Sequence, residues 1–284
     1  MTFAEAMLLA VLQGVSELFP ISSLGHTVLI PALLHWSIDE GSESFLAFVV
    51  VLHLGTALAL LLFYRAEWVR IVRALVASIV RGRLDGGRDE RLGWLLVVGT
   101  IPVGILGVLF QSSVRALFAS PVPVTIFLMI NWLVMFAGEA LRRRQHAHGQ
   151  RASMPIERLS WLAGAGVGIA QSFALLPGIS RSGASIVAGL LADLDHEDAA
   201  NYSFLLATPV ILLASLLEIP ALFAPGVTVG PVEAVAGCVV AGVTAYASVA
   251  FLTRYFQHND LRPFGWYCLL AGALALILFS TKVV

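Results

Sequence analysis

A lone arginine divides the apolar stretch between residues 161 and 191. No other charge occurs in residues 161–176 or 186–191, and between them runs Leu-Leu-Pro-Gly-Ile-Ser-Arg-Ser-Gly-Ala-Ser, with Arg181 at its centre. An arginine at bilayer depth costs from about 2.5 to about 17 kcal/mol on different scales, so a chain keeps one where it has a partner and a task. Pro177 and Gly178 end the helix that precedes them, and the small polar residues that follow suit the N-cap of a new one. The stretch therefore predicts two half-helices that meet at an irregular turn with Arg181 at its tip. Broken backbone at that depth must be buried in protein or line a wet cavity.

The rest of the chain supplies the membrane setting. Hydrophobic residues make up 58% of the sequence and charged ones 12%, at a mean hydropathy of +0.89, which excludes a soluble domain. A net charge of −1 gives no argument for a nucleic-acid partner, and none is expected. No Lys or Arg precedes Arg65, so the N-terminus lacks the basic region of a secretory signal and is expected to be retained. Cys238 and Cys268 both fall in apolar spans and read as small packing residues.

A second broken segment opens the chain. Residues 2–19 are apolar apart from Gln13 and Glu17, the turn Pro20-Ile-Ser-Ser-Leu-Gly-His26 follows, and a short apolar run covers 27–36. Each piece is short of the roughly 20 residues a spanning helix needs, so a re-entrant pair is predicted. An acidic loop (Asp39, Glu40, Glu43) leads to an uncharged span at 45–64. Trp68, Val72, Leu75, Val76 and Ile79 then recur at helical spacing, with Arg70, Arg73 and Arg81 off that stripe, as in a helix lying in the membrane interface. Further spans are predicted at 92–110, 122–141, 202–223, 232–252 and 264–280, with an acidic loop (Asp193, Asp195, Glu197, Asp198) before the third of these. Small residues crowd the 232–252 span (Ala236, Gly237, Ala241, Gly242, Ala245), a composition that lets helices approach closely and predicts an inner helix. With both broken segments re-entrant, loops 65–91, 142–160 and 253–263 share one side and collect fourteen of the arginines. Such loops are cytoplasmic.

The halves also resemble each other. At an offset of 158 residues Gln13 aligns with Gln171, Ser22 with Ser180, Gly25 with Gly183 and Thr27 with Ser185. Residues 1–141 and 161–284 each hold one broken segment and three spans, joined by a basic loop at 142–160. An odd number of spans per half gives an inverted repeat. The expected fold is thus an all-α polytopic membrane protein of six transmembrane helices plus two re-entrant helix pairs, whose tips meet near the midplane.

Each tip offers a helix N-terminus, with free N–H groups and a positive dipole end. Two of these and Arg181 make an anion site, and phosphate is the anion that matches a guanidinium fork and several hydroxyls. The first tip adds more than a binder needs: Glu17 one turn after Gln13, the serines Ser22 and Ser23, and His26. Glu17 suits proton transfer or a divalent cation, a serine suits nucleophilic attack, and His26 suits a proton donor to the leaving oxygen. Ser23, at the start of a half-helix, is the better placed nucleophile. A lipid-phosphate flippase or anion transporter would use the same anion site but has no need of a paired nucleophile and base.

The motifs Gln13-x-x-x-Glu17, Pro-Ile-Ser-Ser-x-Gly-His26 and Pro-Gly-Ile-Ser-Arg-Ser-Gly-Ala-Ser185 resemble those of the bacterial undecaprenyl-diphosphate phosphatases of the bacitracin-resistance type. The resemblance covers the whole chain. It implies removal of the terminal phosphate from a polyprenyl diphosphate in the bacterial inner membrane, at a site opening to the outer face, to recycle the lipid carrier of cell-wall synthesis. It places the nucleophile on Ser23, the assisting histidine on His26, an acidic pair on Gln13 and Glu17, and phosphate binding on Ser180 and Arg181. By their position in the two tips Ser22, Ser182 and Ser185 join the phosphate-binding set. A divalent cation, Mg or Ca, is implied as cofactor, with Gln13 and Glu17 as its ligands, and a homodimer is permitted. Two departures stand out: Gln13 replaces an acid that would be a metal ligand, and Leu24 replaces a usual threonine.

Overall fold

Eleven α-helices and two short 3-10 turns, with no strand, make up the described residues, which in this computed structural model are 1–36, 38, 42–118, 121–147, 153–219, 227 and 229–281. Six helices are long and apolar enough to cross a membrane: α3 (Glu43–Phe63), α5 (Arg88–Phe118), α6 (Pro121–Ala147), α9 (His196–Glu218), α10 (Pro231–Tyr255) and α11 (Arg262–Ser280). The protein is therefore an all-helical, multi-pass membrane protein. Four short helices flank the two predicted turns: α1 (Phe3–Ser16) and α2 (Ser23–Leu33), then α7 (Trp161–Ser172) and α8 (Arg181–Leu191). At about 1.5 Å per residue none exceeds about 21 Å, short of the roughly 30 Å of a hydrocarbon core.

Local chemistry explains where the short helices begin. Thr2 and Glu5 form a reciprocal cap on α1, and Ser160 caps α7. Ser22 Oγ accepts from the Gly25 amide at the start of α2, and Ser180 Oγ accepts from the Gly183 amide at the start of α8. The two turns thus share one capping register, offset by the same 158 residues as the sequence match.

Helices α3 and α9 pack face to face and are the most buried of the six long helices. Around them α1 lies on α10, α7 on α5, and α6 on α11. The span at 232–252 is not the inner helix its composition predicts. Its small residues Gly237, Ala241, Ala245 and Ser248 are buried against α1 and α3, while Val235, Val239, Val243 and Phe251 of the same helix are exposed. Small residues here serve close approach on one face only: a Cβ on Gly55 of α3 would stand 2.2 Å from the Cys238 carbonyl. Cys268 is buried, Cys238 half-buried, and both are free.

One boundary also differs from expectation. The acidic run before the 202–223 span is no loop past Asp195, whose carboxylate accepts from the Asp198 amide at 2.7 Å and starts α9 at His196, with Glu197 and Asp198 in the first turn. Negative charge there opposes the positive helix end, which is why an acidic stretch can be helical. Between α3 and α5, α4 (Arg65–Arg81) divides its apolar residues into two faces. Ile71 and Ser78 are buried on the side packed on α5, whereas Val69, Val72, Val76, Ile79 and Val80 are exposed. Asp39, Glu40, Arg151, residues 220–223 of the 202–223 span and Lys282 lie outside the described residues.

Gly178 fixes the second turn. It adopts φ +108°, and a Cβ there would come within 2.5 Å of the Val124 carbonyl and 2.8 Å of Phe127 on α6. Gly178→Ala should therefore destabilise the fold by more than about 1 kcal/mol, read as a lowered melting temperature in detergent; an unchanged melting temperature would contradict this packing.

Candidate active site

The two broken segments touch at their tips. Ser182 Oγ of the second donates to the Phe19 carbonyl of the first at 3.1 Å. Asn131, on α6, bridges them: its amide nitrogen donates to the Pro20 carbonyl at 3.0 Å, and its oxygen accepts from the Ser180 amide at 3.2 Å. The N-termini of α2 and α8 are thereby held on either side of one small polar region.

Glu17 is the hub of that region. It caps the end of α1, is 7% exposed, and both carboxylate oxygens are engaged. Oε1 accepts from Arg181, from Nη2 at 3.1 Å and Nε at 3.3 Å. Oε2 accepts from Ser23 Oγ at 2.5 Å and from the Gln13 amide at 3.2 Å, and His53 Nε2 stands 3.5 Å away. The charge on Arg181 is thus matched, across 164 residues of sequence, by the carboxylate that also holds the serine hydroxyl. A hydroxyl donating to a carboxylate at that distance has the arrangement that activation of a serine by a base requires.

Comparison with known proteins identifies the setting. The family model described as bacitracin resistance protein BacA matches residues 6–274. The chain belongs to this family. Among curated relatives, the undecaprenyl-diphosphatase of Mycolicibacterium paratuberculosis is 46% identical over 303 residues, covering 99% of each chain. Undecaprenyl-diphosphatase 2 of Chromobacterium violaceum is 46% identical over 281 residues, covering 98% of this chain and 99% of its own. The undecaprenyl-diphosphatase of Acidiphilium cryptum is 47% identical over 283 residues, covering 98% of each.

Within this BacA family member, Gln13, Glu17, Ser23 and Arg181 form one connected cluster. Other residues singled out from sequence are committed to the turns themselves. Ser22, in a left-handed conformation (φ 69°), caps α2. His26 donates from Nδ1 to the Ser22 carbonyl at 2.7 Å, and its Nε2 accepts from the Tyr267 hydroxyl at 2.7 Å, so its ring faces that strained turn rather than Ser23. Ser180 caps α8, with the Ser182 hydroxyl 3.0 Å from its own. Ser185 Oγ lies 2.6 Å from Ser203 Oγ on α9 and 2.8 Å from the Arg181 carbonyl. Sequence reasoning missed His53, Asn131, Tyr267 and Ser203. For His53 and Asn131 a signal was present, since each is a polar side chain inside an apolar span.

For a divalent cation, the relevant observation is Gln13: it is fully buried and its Oε1 has no hydrogen-bond partner, while its amide nitrogen reaches Glu17. One amide oxygen beside one carboxylate fits an ion bound chiefly by substrate phosphates, as Mg commonly is. No cluster of three or more His, Cys, Asp or Glu suited to a metal occurs among the described residues.

Arg181 reaches one carboxylate oxygen with two nitrogens, a geometry a lysine cannot reproduce. Arg181→Lys should lose turnover nearly as severely as Arg181→Ala in a phosphate-release assay; a lysine variant with wild-type turnover would remove the fork from the argument.

Proposed function

We propose that this chain is an undecaprenyl-diphosphatase, an integral membrane hydrolase that converts undecaprenyl diphosphate to undecaprenyl phosphate and inorganic phosphate and so recycles the lipid carrier of peptidoglycan synthesis. The observation that carries the mechanism is the Ser23 hydroxyl bonded to Glu17, itself paired with Arg181. The terminal phosphate enters between the N-termini of α2 and α8, and Arg181 turns from Glu17 to the phosphate oxygens. Losing its counter-charge makes Glu17 a stronger base at the moment Ser23 must give up its proton. Ser23 Oγ then bonds to the terminal phosphorus, the bond to the bridging oxygen breaks, and undecaprenyl phosphate leaves as an anion that needs no proton from the enzyme. Glu17 passes the serine proton to bulk water and then takes a proton from a second water as its oxygen bonds to the phosphorus; the bond to Ser23 Oγ breaks, Oγ regains that proton from Glu17, and phosphate leaves. Helix N-termini and Arg181 stabilise the charge on the transferring phosphoryl group throughout. His26, with both ring nitrogens engaged away from Ser23, acts by holding the strained Ser22 turn rather than by the proton transfer its position in sequence suggests. A divalent cation would be held by Gln13 Oε1 and the substrate's own phosphates, beside Glu17 rather than on it, and would neutralise the diphosphate.

The same reading places the protein in the bacterial inner membrane as an inverted repeat, 1–141 and 161–284 about a cytoplasmic loop at 142–160, with two re-entrant pairs and the site open to the outer face. Support comes from the shared capping register of the two turns and from the matched packing of α1 on α10 and α7 on α5. Ser182 and Ser185 shape the second tip, and Ser22 and Ser180 present the amides that receive the phosphate. A transporter using the same anion site would have no use for the Ser23 to Glu17 bond.

Two experiments test this. With undecaprenyl diphosphate and Mg in detergent, Ser23→Ala should lose turnover by several orders of magnitude and His26→Asn by less; acid quench of the wild-type reaction should yield phosphoserine at position 23 by mass spectrometry. A fully active Ser23→Ala variant, or phosphate found only after alkaline quench and mapped to His26, would reverse the assignment. Separately, in a background lacking Cys238 and Cys268, cysteines replacing Arg83 or His258 should resist an impermeant thiol reagent on intact cells, and one replacing Glu43 should react. Labelling at position 83 from outside would overturn the topology.

A further inference from the structure

A polyprenyl diphosphate trails a long apolar chain, and that chain must leave a site enclosed by helices. Several seams around the site are shut by backbone. A Cβ on Gly14 of α1 would collide with the Ala241 carbonyl of α10, one on Gly55 of α3 with the Cys238 carbonyl of α10, and one on Gly272 of α11 would meet the Thr125 carbonyl of α6 at 3.0 Å. The seam between α5 and α9 is shut along part of its length only. Tyr202 donates its hydroxyl to the Leu95 carbonyl at 3.0 Å, a Cβ on Gly99 would stand 3.1 Å from Leu206, and Leu95, Val103, Tyr202 and Leu206 are buried. In that register α5 and α9 run parallel, Pro102 stands level with Pro209, and Phe110 with Leu217. Beyond the prolines the same two faces are bare: Phe110 is 51% exposed, Leu213 50% and Leu217 68%. A proline removes a backbone hydrogen bond and crowds the carbonyl one turn earlier, which bends a helix. One at the same level in each helix lets the far halves part.

We infer that the crevice between these far halves is the subsite for the part of the prenyl chain next to the diphosphate; this rests on the hydrolase reading given above. Helix α9 joins it to the site: the Ser203 carbonyl accepts from Arg181 Nη1 at 3.4 Å, and Leu213 lies about 15 Å further along the same helix. The second broken segment forms its foot, where Leu175 lies 3.9 Å from the place of a Cβ on Gly107 and Phe173 is exposed. On the topology proposed above the crevice opens sideways into the outer leaflet, so the chain enters from hydrocarbon while the diphosphate enters from water. Bilayer lipid is as apolar as these walls, and what the chain gains here is therefore packing rather than escape from water. A prenyl chain, with a methyl branch on every unit, differs in shape from a straight acyl chain, and a crevice with an aromatic ring on one wall and leucines on the other can discriminate between them.

The test fills the crevice. Purified wild-type protein, Leu213→Trp, Leu217→Trp and Val239→Trp are compared on undecaprenyl diphosphate in mixed micelles at a fixed ratio of detergent to lipid. Val239, on the exposed face of α10, carries the same bulk away from the crevice. The two crevice variants should lower kcat/KM by about 10-fold, chiefly through KM, and Val239→Trp should stay within about twofold of wild type. A second measurement serves where a tryptophan variant does not elute as a folded protein. A cysteine replacing Leu213, in a background lacking Cys238 and Cys268, is alkylated with a membrane-permeant maleimide. Undecaprenyl phosphate above its dissociation constant should slow that alkylation by about fivefold or more, and a phospholipid at the same mole fraction should leave it unchanged. Equal kcat/KM in Leu213→Trp and Val239→Trp, or alkylation that undecaprenyl phosphate does not slow, would mean that bulk lipid fills the crevice and would overturn the proposal. If wild-type protein releases no phosphate from undecaprenyl diphosphate, the hydrolase reading fails, and protection of position 213 still reports whether the chain binds there.

Discussion

One ion pair, Arg181 to Glu17, governs how this chain can fold. Neither residue is affordable alone at bilayer depth, and removing one partner from a buried pair typically costs about 3–5 kcal/mol. The two come from opposite halves of the sequence and from opposite broken segments, so the pair forms only if both tips reach the same place. The short lengths of α1, α2, α7 and α8 suit that meeting of the two tips. Backbone of the turns is bonded to protein groups instead, as at Pro20, Ser180 and Phe19, which is what irregular backbone inside a bilayer requires.

Keeping two irregular turns in register needs more than one salt bridge. Asn131 does this from α6 by accepting from one turn and donating to the other, using both ends of its amide. Its geometry ties the carbonyl of Pro20 to the amide of Ser180, so displacement of either tip breaks a buried hydrogen bond. Ser22 shows the strain that results: a non-glycine residue at φ 69° costs about 1–3 kcal/mol and is held by its own hydroxyl cap and by His26 on its carbonyl. Tyr267 holds the other face of that imidazole, at 2.7 Å and with the rings stacked. The residue that follows this turn, Ser23, is the one bonded to Glu17.

What was legible in the sequence were the places where local chemistry is decisive. Pro, Gly and Ser punctuation located both turns, and the two serine caps appear in the same register as the sequence match. Apolar length located the six spans, with ends misplaced by a few residues where an acidic first turn, as at Asp195, reads like a loop. Less legible was anything decided by packing between distant segments. Small residues on α10 signalled close approach but not that it occupies one face only, and nothing local paired Glu17 with Arg181. His53 lay in plain view inside an apolar span, but its meaning depends on a carboxylate from another helix. The direction of the His26 ring was equally hidden, because its partner Tyr267 is 241 residues away.

The resting site is self-neutralised, and in the mechanism proposed above that bears on why it hydrolyses rather than merely binds. A free Arg181 would hold any phosphate that reached the tips, including the product. Here an incoming anion must displace a carboxylate that already satisfies the guanidinium, so net binding is weaker than two helix N-termini and an arginine would give alone. The displaced carboxylate does not become idle. Its second oxygen still carries the Ser23 hydroxyl, and removal of the neighbouring positive charge raises its affinity for that proton. On that mechanism part of the binding interaction is converted into basicity at Glu17, which favours the transition state over the bound ground state. After phosphoryl transfer and release, Arg181 can return to Glu17, and the pair that stabilises the empty fold competes with the product phosphate for the guanidinium.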